Sequence, residues 1–219
     1  MRPAHPHPLA RSLVALASLA TLLAGCAAPQ AVISGRVVLA PLPRPSGPLP
    51  AGVERDPRAA VVYLESIPDS LLARLRLAPG PDAVAIDQRA DGFHPAVAAV
   101  PAGGTLVYRN RDQVFHRPFA RAGADSFDTG AYRPGETRTV RMNAPGRFPV
   151  FCFLHPGELG LIAVTPTRVV AQPARDGGFR LPALPLGHYV LHVWHPAYGE
   201  VRREVELADP RGARVEIDF

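Results

Sequence analysis

Apolar and polar residues alternate along this chain in short runs, and Gly or Pro separates most runs from the next. An apolar residue at every second position is typical of a strand with one buried face. A helical period with a capping residue occurs only at Asp69–Leu77, just before Pro79. Residues 41–58 are rich in proline and predict a loop. We therefore expect an all-β protein with strands at Val32–Leu39, Ala60–Glu65, Val84–Asp87, Ala96–Val100, Thr105–Arg109, Thr137–Met142, Phe148–Phe153, Leu161–Val164, Gly178–Leu181, Tyr189–Trp194, Val201–Leu207 and Arg214–Phe219.

Residues 1–26 predict an export signal with a site for lipid attachment. Arg2 and Arg11 make the first residues of the chain basic, and the apolar run Leu13–Leu23 comes next. Ala24, Gly25 and Cys26 follow this run. The run is too short for a permanent transmembrane helix, and small residues mark the cleavage site of export signals. We expect a lipid on Cys26 and a location on the periplasmic face of the cell envelope. Because Ala27 rather than Asp follows the cysteine, we expect the outer rather than the inner membrane. A chance cysteine in an ordinary signal is the alternative.

The charge balance argues against nucleic acid as a partner. The chain has 24 basic and 19 acidic residues, for a net charge of +5, and every basic residue is an arginine. Two arginines and no acids lie in residues 1–26, so the net charge falls to +3 without them. The remaining arginines are scattered along the sequence, whereas nucleic-acid binding needs a concentrated basic surface.

The cysteine count is more informative. The chain has two cysteines, so with Cys26 lipidated Cys152 is the remaining thiol and has no intramolecular disulfide partner. A lone thiol in an exported protein is a buried bystander, an intermolecular link, a nucleophile or a metal ligand.

Two segments favour the metal ligand. Residues 105–116 predict a strand that runs into a loop ending at His116, and residues 148–155 predict a strand ending in Cys152-x-x-His155. Two imidazoles and one thiolate form the trigonal set of copper sites that transfer electrons. A Cys/His nucleophile pair is the alternative, but no separate orienting acid is apparent, and we do not expect an enzyme.

Residues 83–165 resemble a cupredoxin of the amicyanin and plastocyanin kind, and more closely the exported proteins of the methylamine-utilisation-like kind. The resemblance implies a Greek-key β-sandwich, one mononuclear copper, and a redox protein as partner. Its motifs are Ile86-Asp87-Gln88, Phe93-x-Pro95, Asn110-x-Asp112-x-x-x-His116, Phe127-Asp128-x-Gly130-x-Tyr132-x-x-Gly135-Glu136-Thr137, Pro145-Gly146 and Cys152-x-x-His155-Pro156.

The sequence departs from the cupredoxin pattern at the axial ligand. The family has Met six residues after the cysteine, or eight in plastocyanin-like loops, and this chain has Glu158 and Gly160 there. Met142 lies on the preceding strand and is not expected to reach the site. The axial position is therefore Glu158, a water or empty. A carboxylate there would stabilise Cu(II) over Cu(I). Arg117 also replaces the Asn that commonly follows the first histidine.

The two ends of the chain resemble a carboxypeptidase-regulatory-like, or transthyretin-like, β-sandwich. Asp176-Gly177-x-Phe179 and Leu184-Pro185-x-Gly187-x-Tyr189 match its second half, and residues 33–38 and 60–64 match its first. We expect this module at residues 31–66 and 166–219, with the cupredoxin inserted at 83–165. Sequential β-domains are the alternative. The module carries no catalytic constellation and is expected to act as a scaffold or docking surface.

Four further histidines after residue 26 lie outside the predicted site. His94 is expected to be a loop residue facing solvent, and His188, His192 and His195 to be partly exposed strand residues rather than a second metal site.

The sequence thus predicts a lipid-anchored copper protein that carries electrons. Copper storage, delivery or sensing without electron transfer is the alternative, and a metal-free structural β-module is the third possibility.

Overall fold

The computed structural model describes residues 29–41, 48–67, 83–121 and 125–219. Almost all of its regular structure is strand, so the all-β prediction is confirmed. The expected signal at 1–26 with Cys26, part of the proline-rich loop, and the helix predicted at Asp69–Leu77 lie outside the described residues. In the described ranges no helix is long and apolar enough to cross a membrane.

All twelve predicted strands are present, with their ends shifted by at most two residues. The strands that the alternation missed are two or three residues long, too short to show a period. In chain order the strands are β1 (Gln30–Ala31), β2 (Ile33–Val38), β3 (Val61–Leu64), β4 (Ala83–Arg89), β5 (Gly92–His94), β6 (Val97–Pro101), β7 (Thr105–Asn110), β8 (Pro118–Ala120), β9 (Phe127–Asp128), β10 (Thr137–Arg141), β11 (Gly146–Cys152), β12 (Leu159–Thr165), β13 (Val170–Ala171), β14 (Gly178–Arg180), β15 (Leu184–Pro185), β16 (Gly187–His195), β17 (Gly199–Leu207) and β18 (Ala213–Asp218).

The strands between residues 83 and 165 form two sheets that share one apolar core. One sheet has the order β10-β7-β4-β5 and the other β6-β12-β11-β8-β9. Both are mixed, because β4 is parallel to β7 and β6 is parallel to β12. Alternation along β11 turns Phe148, Val150 and Cys152 inward. Cys152 is therefore the last core-facing residue of its strand, where the sandwich meets the loops at its end.

The strands from the two ends of the chain pair with one another. β3 lies between β13 and β16 in a sheet of order β13-β3-β16-β17, and β2 lies between β14 and β18 in a second sheet. The register of β2 with β18 is parallel and joins Ile33 to Ala213. These sheets enclose a core of their own, which includes Leu64, Leu191 and Ile217. Their assignment to a transthyretin-like module, and the domain boundaries, stay predictions.

A third apolar cluster joins the two sets of sheets. Trp194 and Val61 pack there with Val97, Ala99 and Ala163. Arg147 of β11 lies over the Trp194 ring, 5.0 Å from its centroid, and donates to Glu200 at 2.7 Å. A 3-10 helix at Pro57–Ala59 contributes its buried Ala59 to the same cluster. The end-of-chain strands are thereby packed against the β6–β12–β11 side of the central sandwich.

Candidate metal centre

The loop before His116 is organised by Asn110, the last residue of β7. The Asn110 side chain donates to the carbonyls of Val114 and Tyr132 at 2.8 and 3.2 Å, and its Oδ1 accepts from the backbone N–H of Asp112 at 2.9 Å. Such an Asx turn closes a loop with a side chain instead of a ladder bond. At the end of the loop, His116 and Tyr132 exchange both backbone hydrogen bonds, at 3.2 and 2.9 Å. Tyr132 therefore holds the His116 backbone through both its N–H and its carbonyl.

The second segment is the loop between β11 and β12, residues 153–158. The Glu158 N–H donates to the His155 carbonyl at 3.2 Å, and the Cys152 N–H donates to the Glu158 carbonyl at 3.4 Å. Gly157 has a φ of 98°, in the left-handed region that only glycine adopts readily. The loop thus turns tightly enough for the side chains of Cys152, His155 and Glu158 to face one point.

The two segments are tied to each other beside the cysteine. The Phe153 N–H donates to the Arg117 carbonyl at 2.9 Å, and the Arg117 N–H donates to Cys152 Sγ at 3.4 Å. The second bond uses the backbone of Arg117, so it does not depend on the Arg-for-Asn difference noted in the sequence. The Arg117 side chain points elsewhere and pairs with Asp128 at 2.7 Å.

The structure brings all four predicted site residues together. One ligand atom from each of His116, Cys152, His155 and Glu158 lies within 4.8 Å of the other three. Cys152 Sγ is 3.8 Å from His116 Nδ1 and 3.5 Å from His155 Nδ1, and the two Nδ1 atoms are 3.1 Å apart. Glu158 Oε1 is 3.4 Å from His116 Nδ1 and 3.0 Å from His155 Nδ1. The Glu158 carboxylate therefore lies beside both histidine nitrogens, whereas Met142 is buried in the core of the sandwich.

Asp112 determines which His116 nitrogen is free to bind. Its Oδ2 lies 3.1 Å from His116 Nε2, and the Gln113 backbone N–H, together with the His116 ring, holds the pKa of Asp112 below its ordinary value. An ionised carboxylate only accepts, so Nε2 carries the proton and Nδ1 presents a lone pair to the cluster. A carboxylate behind the distal nitrogen is a common partner of a ligating histidine.

Gln88 and Tyr132 hold Glu158 from the opposite side. The Gln88 amide donates to Glu158 Oε2 at 2.5 Å, and the Tyr132 hydroxyl donates to Gln88 Oε1 at 2.8 Å. Burial raises the pKa of Tyr132, so the hydroxyl stays protonated. Sequence reasoning placed Gln88 and Tyr132 in resemblance motifs without a role at the site. A polar residue at an inward position of a strand, as Gln88 is on β4, is the signal that could have identified it.

These atoms fit a metal whose preferred ligands are imidazole, thiolate and carboxylate. The cluster brings two imidazole nitrogens, a thiol sulfur and a carboxylate oxygen within 4.8 Å of one another. Imidazole with thiolate suits copper, and the same set can also hold zinc.

The site is buried on one side and open on the other. His116 is fully buried and Cys152 nearly so, whereas the side chains of His155 and Glu158 are 35% and 12% exposed. A cavity of about 1200 Å³ is lined by both of these residues and by the segment 49–59. The exposed large apolar side chains on the two ligand-bearing segments are Val114, Phe115, Phe151, Phe153 and Leu154.

Four further histidines in the described ranges are not part of this group of four ligands. His94 Nε2 is 2.7 Å from Asp91, His188 is exposed, and His192 Nδ1 is 3.1 Å from Glu200. No second group of three or more potential ligands occurs in the described part of the chain. The expectation that His195 is partly exposed is wrong. The side chains of the odd-numbered residues of β16 from Tyr189 onward point into the protein, and His195 is fully buried.

Buried His195 is neutral and fully bonded. Its Nδ1 accepts from the Ala197 N–H at 3.1 Å, and its Nε2 donates to the Asp56 carbonyl at 3.1 Å. Burial lowers its pKa. It is a structural residue that links β16 to the segment before the 3-10 helix.

Comparison with known proteins gives a partial likeness. No family model matches the chain, and no curated protein sequence matches it. Among solved structures, a purple cupredoxin from Nitrosopumilus maritimus is similar at 20% identity and a TM-score of 0.35, over 37% of this chain and 99% of the other. Two amicyanin variants in the Cu(I) form are similar at 19% identity and a TM-score of 0.36; they cover 37% and 47% of this chain, and 81% and 97% of the amicyanins. Similarity at this level does not assign the chain to a family.

Proposed function

We propose that residues 83–165 form a cupredoxin domain that binds one copper ion through His116, Cys152 and His155, with Glu158 as the fourth ligand. The observation that carries the proposal is the convergence of two imidazole nitrogens, a lone thiol and a carboxylate within 4.8 Å. The protein then acts as an electron carrier in the cell envelope. Copper would supply the one-electron change between Cu(I) and Cu(II).

The chain holds its ligands rigidly, which suits electron transfer. Two backbone hydrogen bonds with Tyr132 hold His116, Asp112 sets its tautomer, and the Arg117 N–H donates to the Cys152 sulfur. Ligands held in this way rearrange little when the charge of the site changes, so less energy is needed to reorganise them.

The exposed edge of His155 is the natural contact for a redox partner. Exposed apolar side chains occur on the same two segments, among them Phe115 beside His116 and Phe153 in the His155 loop, and Arg117 stacks on the Phe153 ring at 4.7 Å. An apolar patch with aromatic residues and arginine at its edge is the composition of protein interfaces. We propose a protein as the electron donor or acceptor.

Copper storage or delivery without electron transfer is the second candidate. Glu158 supports it, because an anionic oxygen beside the thiolate favours Cu(II) and opposes easy reduction. The cavity beside His155 and Glu158 supports it too, because it leaves these ligands accessible to an incoming or departing ion.

Membrane attachment is a separate proposal. A lipid on Cys26 would hold the protein on the periplasmic face of the outer membrane, with the end-of-chain sheets serving as scaffold or docking surface. It rests on the residues before Cys26 in the sequence, which lie outside the described ranges.

Metal analysis tests the proposed function. The wild type, Cys152→Ser and the control His188→Gln are loaded with Cu(II) or Zn(II), desalted and analysed for metal. We expect one copper per chain and strong visible absorption in the wild type and in His188→Gln, and neither in Cys152→Ser. Equal copper in all three proteins would contradict the assignment. Retention of zinc but not copper would show a zinc centre, and retention of neither would leave a structural β-module.

A further inference from the structure

We propose that Gln88 is a positioning residue that holds Glu158 as an oxygen ligand, and that Tyr132 holds Gln88 in turn. This inference rests on the proposed copper site and concerns the feature in which the chain departs from the cupredoxin pattern. A flexible glutamate can face the metal or turn away from it, and the neighbours of its second oxygen decide which.

Because Gln88 is buried, its side-chain amide must form its hydrogen bonds with other groups of the protein. It lies on the inward face of β4 next to Ile86 and is fully buried. Burying an amide without hydrogen bonds is costly. Its two side-chain bonds go to Glu158 and to Tyr132, so the cost is offset entirely by groups of the site.

The donor and acceptor chemistry fixes the orientation of this chain of bonds. Glu158 as a carboxylate can only accept, so the Gln88 NH₂ group must face Oε2, and Gln88 Oε1 then faces the Tyr132 hydroxyl. Oε2 is thereby occupied at 2.5 Å, and Oε1 is left 3.0 and 3.4 Å from the two histidine nitrogens. The carboxylate is held with one oxygen directed at the ligand cluster.

Tyr132 connects this arrangement to the first histidine. Its backbone exchanges hydrogen bonds with His116, while its hydroxyl donates to Gln88. The Gln88 carbonyl in turn accepts from the Arg111 N–H at 2.9 Å, within the loop that leads to His116. The same two residues therefore set the position of His116 through the backbone and that of Glu158 through side chains.

The test separates a positioning role from a structural one. Gln88→Leu removes the amide, Tyr132→Phe removes only the hydroxyl, and Gln172→Leu is the control, since the Gln172 amide bonds to backbone carbonyls of Arg58 and Val97. Cu(II) and Cu(I) dissociation constants, reduction potential and the electron paramagnetic resonance spectrum are measured. Loss of such an outer partner typically weakens metal binding about 10–100-fold. We expect a loss in this range for Cu(II) in Gln88→Leu and a smaller one for Cu(I).

The decisive quantity is the difference between the loss of Cu(II) affinity and the loss of Cu(I) affinity. Each tenfold loss that affects Cu(II) and not Cu(I) raises the potential by about 59 mV. Tyr132→Phe should also raise the potential, by a smaller amount than Gln88→Leu. If Gln88→Leu does not fold, the potential of Tyr132→Phe is the test of the inference. In a Glu158→Met background, Gln88→Leu should add little, because its partner is gone. Gln172→Leu should match the wild type.

Two results would overturn the inference. One is that Gln88→Leu folds and that both it and Tyr132→Phe have the potential and spectrum of the wild type. This result would not affect the proposed copper site. The other is an equal effect of Gln88→Leu with and without Glu158, which would mean that the amide acts through packing alone. A wild type that binds no copper would overturn the proposed function and this inference together.

Discussion

Replacing Glu158 by methionine should raise the reduction potential of the copper-loaded protein. The wild-type carboxylate places a full negative charge beside the thiolate, which stabilises Cu(II) more than Cu(I). Methionine is neutral and is the residue that the cupredoxin pattern has at this position. The visible spectrum of the variant should also move toward the intense blue of a trigonal site with a weak axial thioether.

The size of the shift follows from the geometry. The four ligand atoms lie within 4.8 Å of one another, so an ion among them lies close to the Glu158 charge. Two unit charges about 4 Å apart interact by about 4 kcal/mol at an effective dielectric constant of about 20. Since 59 mV corresponds to a tenfold change, or about 1.4 kcal/mol, this interaction corresponds to roughly 170 mV. The Glu158 side chain is only 12% exposed, so solvent screens little of this, and we expect a rise on the order of 100 mV.

The assay is a spectroelectrochemical titration of the wild type, Glu158→Met and a control, Glu204→Met, at one pH and ionic strength. Glu204 lies on β17 with its side chain 78% exposed, so its replacement should leave the potential unchanged. If Glu158→Met has the potential and spectrum of the wild type, the carboxylate does not face copper. Copper would then have no ligand from Glu158, and the support that Glu158 gives to storage or delivery would be lost.

Three further predictions concern the rest of the chain. Cys26→Ala should release the protein from membranes or leave its signal uncleaved; a correctly cleaved variant that still fractionates with membranes would refute lipid anchoring. Burial lowers the pKa of His195 below its ordinary 6.5. As the pH falls below 6.5, His195 therefore takes up a proton in the unfolded chain but not in the folded one. The free energy of unfolding, measured by urea titration, should therefore decrease below pH 6.5. His195→Gln should reduce this decrease. The control His188→Gln should not, because the His188 side chain is 82% exposed. Leu191→Ala should lower the free energy of unfolding by about 2–5 kcal/mol, because Leu191 is fully buried in the core of the end-of-chain sheets; a loss well below 1 kcal/mol would mean that this core contributes little to stability.

The strands and three of the site residues could be predicted because their signals are local. Alternation with a period of two marks a strand and its buried face without any knowledge of its neighbours. It places Cys152 inward because Phe148 and Val150 are inward on the same strand. The spacing from Cys152 to His155 fits one short loop, so these two side chains meet in any fold that makes that loop.

The orientation of Glu158, its partners Gln88 and Tyr132, and the burial of His195 could only be decided by the tertiary structure. Gln88 and Glu158 are separated by 70 residues and meet across the sandwich, and Tyr132 comes from yet another segment. The alternation puts His195 on the same face of β16 as Tyr189, Leu191 and Val193. A buried polar ring needs a partner, however, and that partner, the Asp56 carbonyl, is 139 residues away in the sequence. Long-range contacts of this kind depend on which sheets pack together, and that is a property of the whole chain rather than of any window within it.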